Sequence, residues 1–362
     1  MYKKNIKTHI NQRLQRIANV LLLNSSFSDN IGLLNGKLGI SIFFYHYARY
    51  TSNEIYENYA GELIDEIYDE IKTDGITDFT DGLTGIGWGI EYLVKHRFVE
   101  ADTDDALKEI DRALYRTWRQ KPVLIENSSD LFGYGLYFLA RLYDRENLDV
   151  PSTLLKKHLL IFLTDECERV LINKRFLEFT IPILNVAVLN SIAMFGIEMH
   201  KLGLYPTKVE KLFHYLVFYC ESPIMNFNSK QDCITLLQLI QSIEPLVDDP
   251  EIKQKCQFLV RKLTKFQDNS ETNPDLIVNQ CCKQAWHQLI YAGAIKENTF
   301  CEITEKAFTI IDNEDYWNQF IRKLNNKNLG LNNGLAGMGL ALLQLAEKNV
   351  NLSMVNKPMI NK

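Results

Sequence analysis

The feature that most constrains this chain is a short motif that recurs at a nearly constant interval. Gly32-Leu33-Leu34-Asn35-Gly36-Lys37-Leu38-Gly39-Ile40, Asp78-Phe79-Thr80-Asp81-Gly82-Leu83-Thr84-Gly85-Ile86 and Gly330-Leu331-Asn332-Asn333-Gly334-Leu335-Ala336-Gly337-Met338 all place Asn or Asp before Gly-x-x-Gly. Each then runs into a mainly apolar segment. A weaker copy, Asp130-Leu131-Phe132-Gly133-Tyr134-Gly135, keeps the Gly-x-Gly also seen at Gly85 and Gly87 and at Gly337 and Gly339. Gly39 to Gly85 is 46 residues and Gly85 to Gly133 is 48. Gly133 to Gly337 is 204, or four steps of 51, which places three degenerate copies near 184, 235 and 286. A period of this size marks an array of helical pairs, each unable to bury its apolar face alone.

Between the motifs the apolar spacing is helical. Tyr56, Tyr59, Ala60, Leu63, Ile64, Ile67, Tyr68 and Ile71 form one stripe, with Glu62, Asp65, Glu66, Asp69 and Glu70 off it. Asp102 or Thr103 is a candidate cap for the next helix, before Ala106, Ile110, Leu114 and Trp118. Ile40 to Ala48, Ile86 to Val94 and Leu136 to Tyr143 are apolar almost all round, as a buried inner ring requires. Only 9 prolines and 18 glycines in 362 residues favour long helices over a turn-rich β fold. The expectation is an all-α chain, residues 1–362 forming one α/α toroid of about seven hairpin repeats. The first glycine of each turn is expected to take positive φ, and the second to let an inner helix approach its neighbour.

Composition excludes several classes. Net charge is −5 and no basic stripe appears, which argues against nucleic acid. No 18-residue apolar run exists, so no membrane-spanning helix is expected. Lys3, Lys4 and Lys7 are not followed by an apolar stretch, so no secretory signal is read. Seven cysteines without framework spacing suggest reduced thiols and a cytoplasmic location.

The glycine motifs of the first 145 residues and the last 40 resemble those of the lanthionine synthetase C-like family. Resemblance implies an α/α toroid of seven helical repeats. It also implies a zinc cyclase, in which the Cys of Trp-Cys-Tyr-Gly and the Cys and His of Cys-His-Gly hold the metal. The zinc turns a substrate thiol into a nucleophile toward a dehydroamino acid, and an Ala-His-Gly motif supplies an acid/base histidine. Carried over by the repeat count, Ala187 matches the third motif with no histidine after it. Cys233 alone matches the first. His287 matches the second, with Trp286 at its cysteine position. Cys281 and Cys282 are candidate replacements, although neighbours on a helix diverge by about 100°. The alternative alignment, on Leu331-Asn332-Asn333-Gly334, puts two asparagines at ligand positions.

At most two ligands, Cys233 and His287, therefore survive. The expectation is a non-catalytic or divergent member serving lanthipeptide-type (bacteriocin) maturation, without a cofactor, whose partner is a peptide or a peptide-modifying enzyme. One alternative is an active zinc cyclase with a rebuilt site. Another is a carbohydrate-active toroid using Asp81 and Asp130 as an acid/base pair. Asn35, Asp81, Asp130 and Asn333 share one repeat position, which otherwise reads as a helix cap or Asx-turn. Asp81, Asp130 and Trp286 are candidate cleft residues. Gly36, Gly39, Gly82, Gly85, Gly133, Gly334 and Gly337 are structural. Inner-helix aromatics such as Trp88, Tyr92 and Tyr137 are expected in the core, with a few lining a central peptide cleft.

Overall fold

The computed structural model describes residues 2–120, 131–142, 151–176, 185–221, 230–264, 273–290, 297–324 and 328–355. Its helices are α1 (Tyr2–Asn24), α2 (Lys37–Thr51), α3 (Glu54–Glu70), α4 (Leu83–Lys95), the single turn α5 (Thr103–Ala106) and α6 (Lys108–Gln120). A π-helical segment, Leu131–Leu136, leads into α7 (Tyr137–Ala140), followed by α8 (Pro151–Phe176), α9 (Val186–Lys201) and α10 (Pro206–Glu221). Then come α11 (Lys230–Ile243), α12 (Pro250–Thr264), α13 (Pro274–Ile290), α14 (Glu297–Ile311), α15 (Glu314–Arg322) and α16 (Leu335–Val355). Among the described residues there is no strand.

Local chemistry explains many of the starts. The side chains of Asn53, Asp102, Asn185 and Asn313 each accept a first-turn backbone N–H at the head of α3, α5, α9 and α15. Such caps satisfy donors that a helix leaves orphaned. Four helices (α8, α10, α12 and α13) open on proline, which lacks the N–H that would go unpaired there.

The helices form two concentric rings. α2, α4, α7 with its π segment, α9, α11, α13 and α16 are the inner seven, and from α13 through α16, α2, α4, α7 and α9 to α11 each packs on the next. Each carries one outer helix against it: α3 on α2, α6 on α4, α8 on α7, α10 on α9, α12 on α11, α14 on α13 and α1 on α16. The architecture is thus the α/α toroid that the periodicity predicts. The N-terminal helix completes the last repeat, and Arg13 clasps it there. That side chain is 4% exposed, lies 4.7 Å over the Trp317 ring and donates to Glu314 (3.1 Å) and to the Asp312 carbonyl (3.0 Å).

The inner helices mesh through the second glycine of Gly-x-Gly. A Cβ on Gly339 would lie 2.3 Å from the Phe43 ring of α2, one on Gly87 2.3 Å from the Tyr137 ring of α7, and one on Gly135 2.8 Å from the Phe195 ring of α9. Each missing side chain lets a ring from the next inner helix fill the gap. Phe43 and Tyr137 are fully buried, and such burial stabilises by about 1.5–3 kcal/mol per side chain.

The inner helices begin at Lys37, Leu83, Leu131, Val186, Lys230, Pro274 and Leu335. The step of 51 assumed through the middle is therefore corrected: the middle repeats are uneven, and the sixth starts well before 286. The reason is that outer helices and linkers differ in length, while only the inner starts must keep register. On α3 the expected stripe is present, with Ala60, Leu63, Ile64 and Ile67 buried, although Tyr68 is 44% exposed.

Candidate functional site

The amino ends of the inner helices carry the glycine loops. A Cβ on Gly39, Gly85 or Gly337 would stand 2.3, 2.0 or 2.1 Å from the carbonyl oxygen of Leu33, Phe79 or Leu331, in each case the residue six places earlier. Gly36 and Gly82 are crowded in the same way, 2.3 Å from the Asn30 carbonyl and 2.4 Å from that of Ile76, and Gly334 is 2.5 Å from the Gly330 carbonyl. Gly133 faces the Thr84 hydroxyl at 2.7 Å. The expected positive φ is not found at the first glycine: Gly36 sits at −121° and Gly82 at −104°. Glycine is needed there for space. The left-handed residue is Asn333, at φ 56°, just before Gly334.

These loops zip together through equivalent residues, each two before its glycine. The Asn332 N–H donates to the Leu34 carbonyl and the Leu34 N–H donates to the Thr80 carbonyl, both at 2.8 Å. Asp81 belongs to this joint. One carboxylate oxygen accepts from Asn30 Nδ2 (2.8 Å) and the other from Asn35 Nδ2 (3.1 Å). The cap reading for Asn35 and Asp81 is corrected: Gly36 and Gly82 occupy the cap positions, and Asn30 and Asp78 make the Asx-type turns. Asp130 lies outside the described residues.

The candidate zinc residues are not brought into one group. Cys233 stands in the first turn of α11 and His287 in the last turn of α13. Trp286 and His287 are therefore at the far end of their helix from the turn that the repeat count assigned to them. Their rings contact each other edge to face at 4.1 Å, and Trp286 is buried and absent from the lining of the lumenal cavity. Burial, with help from Lys283, pushes the His287 pKa down to about 3. Burial raises the Cys233 thiol, opposing the thiolate form that binds metal. Cys281 donates toward Thr304 (3.8 Å) and Cys282 toward the Gly334 carbonyl (3.6 Å), so the two thiols diverge. Among the described residues no three His, Cys, Asp or Glu side chains stand together as a metal would need.

The carboxyl ends of the inner helices hold a cavity of about 480 Å³. Its wall comes from α4, α7, α9 and α13, which meet only because the ring closes. Trp88, Leu136, Leu139, Leu289 and Ile290 supply apolar surface. Glu91, Lys95, Glu198 and Lys201 line it too, and their charges cancel. Glu91 accepts from the buried Arg141, which also bonds Asp104 and Asp111, and Glu198 accepts from Lys201 at 2.7 Å.

An aromatic ladder climbs α4 toward this mouth. Trp88 stacks on Tyr92 (5.3 Å) and Tyr92 on His96 (4.0 Å), a spacing of one helical turn per rung. The Tyr92 hydroxyl lies 2.8 Å from His46 Nε2. Burial, then repulsion from His96 and Arg49, lowers the His46 pKa to about 4. Burial likewise lowers that of His96. His46 and His96 escaped the sequence reading. The signal present was the i, i+4, i+8 run Trp88, Tyr92, His96, of which only the two aromatics drew notice.

Among the described residues no helix is long and apolar enough to cross a membrane. No curated protein matches the chain. Residues 2–155, from α1 through the first two glycine loops into α8, match the family model described as lanthionine synthetase C-like protein. Residues 2–155, less than half of the chain, are thus similar to the lanthionine synthetase C-like family, and they form the first part of the toroid.

Proposed function

We propose that this protein binds a peptide in the lumen of its toroid, as a non-catalytic partner in lanthipeptide-type maturation. The observation that carries the reading is the cavity at the carboxyl mouth. It is large enough for side chains of a peptide, has apolar walls, and the charged groups among its described lining residues cancel. Concave, mostly apolar sites with a few placed polar groups are the usual form of a ligand pocket. The donor set argues against the zinc cyclase alternative. A catalytic zinc needs three protein ligands, and Cys233 and His287 occupy opposite ends of their own helices. Asp81, the anchor of the carbohydrate alternative, has both carboxylate oxygens engaged by Asn30 and Asn35.

The test uses a model peptide bearing one cysteine and one dehydroalanine. Binding is read by fluorescence anisotropy, free thiol by alkylation and mass spectrometry, and metal by elemental analysis. Expected are saturable binding and an unchanged thiol count. Trp88→Ala should weaken affinity about tenfold, since removing a buried aromatic contact commonly costs 1 kcal/mol or more. Asp81→Asn, at the other end of the ring, should leave affinity unchanged. Thiol consumption together with one zinc per chain, lost in both Cys233→Ala and His287→Ala, would establish the cyclase instead.

A further inference from the structure

We propose that the carboxyl mouth selects a peptide aromatic ring that carries one neutral hydrogen-bond donor, the indole of Trp or the phenol of Tyr, with His96 Nε2 as the acceptor. This deepens the lumenal peptide reading and rests on it.

The argument begins with a tautomer. His96 Nδ1 lies 2.9 Å from the backbone carbonyl of Tyr92, one turn earlier on α4. A carbonyl oxygen can only accept, so Nδ1 carries the proton. A neutral imidazole then has its lone pair on Nε2. The ring is held in place by stacking on Tyr92 at 4.0 Å and by the Phe98 ring, near-parallel at 6.5 Å. Its Nε2 has no hydrogen-bond partner among the described residues, and the side chain is exposed and lines the cavity. The result is a pre-oriented acceptor at the rim of an apolar chamber. Partial desolvation, helped by Lys95 and Arg49 and opposed by the hydrogen bond to the Tyr92 carbonyl, lowers its pKa.

The rest of the wall decides the ligand class. Glu91 and Glu198 are already paired with Arg141 and Lys201. Among the described lining residues the acids and bases sum to zero, which favours neither a cationic nor an anionic side chain. The Tyr92 hydroxyl is engaged by His46. What remains is apolar surface from Trp88, Leu136, Leu139, Leu289 and Ile290 with a neutral acceptor beside it. A flat apolar body with a single N–H or O–H matches both features. Phenylalanine matches only the first.

Acetylated, amidated Gly-Gly-Xaa-Gly-Gly peptides with Trp, Tyr or Phe at the centre are titrated into the full chain at pH 7.5, by calorimetry or ligand-observed NMR. The Trp and Tyr peptides should bind about 3- to 10-fold tighter than the Phe peptide, the ratio expected of one net hydrogen bond. His96→Ala should bring all three to the Phe value. His96→Gln, which keeps a carbonyl acceptor, should restore part of the preference, and melting curves establish that both variants are folded. Equal binding of the three peptides by the parent, or a preference that survives His96→Ala, overturns the inference while leaving the lumenal reading intact. No binding of any peptide overturns both.

Discussion

The two ends of the toroid are built on opposite principles. At the amino end of the inner helices, backbone meets backbone. Loops 46 to 298 residues apart share hydrogen bonds, as in Asn332 to Leu34 to Thr80, and glycines leave no room for so much as a methyl group. At the carboxyl end, side chains meet around empty volume, and the polar groups there belong to Glu91, His96, Glu198 and their partners. One end is a joint and the other a receptacle. Catalytic expectations built on the glycine-loop register therefore point to the end of the ring with the least room.

The sharpest way to break this contrast is to put a side chain into the joint. Gly85→Val should cost about 3 kcal/mol or more, because its Cβ would lie 2.0 Å from the Phe79 carbonyl and backbone cannot step aside cheaply. Urea unfolding of parent and variant measures it. Matching midpoints would mean that the loops are looser than a joint.

Acid sensitivity should belong to the other end. The His46 pKa is about 4 in the fold against about 6.5 in an unfolded chain. The unfolded chain takes up the proton first as pH falls, so the contribution is complete above about pH 6.5 and fades toward pH 4. Its size is about 1–3 kcal/mol, discounted for partial exposure of the ring. Unfolding midpoints at pH 7.5 and 4.5 should converge more in His46→Gln than in the parent. Parallel pH profiles would remove the mouth histidines from the account.

The smallest effect is a control on glycine itself. Gly61 sits mid-helix in α3, and a Cβ there meets only the Tyr45 hydroxyl, at 3.8 Å. Gly61→Ala should stabilise by about 0.5–1 kcal/mol through helix propensity and a less flexible unfolded chain. A loss of stability would show that helical glycines outside the joints also serve packing.

The amino-acid sequence by itself determined the helical class, the ring of repeats and the glycines at its turns. Each of these is a local demand: a stripe at 3.6-residue spacing, or a position where any Cβ collides with a carbonyl six residues back, writes itself into a short window. Tertiary structure alone decided the rest. Inner starts at Val186, Lys230 and Pro274 follow outer helices of 26, 16 and 15 residues, so counting even steps misplaced His287 by most of a helix. Asp81 reads as a candidate acid until Asn30 and Asn35 are seen holding both its oxygens. The cavity draws on Trp88, Leu136, Glu198 and Ile290, residues joined by no pattern in the chain, because only closure of the ring brings four inner helices to one mouth.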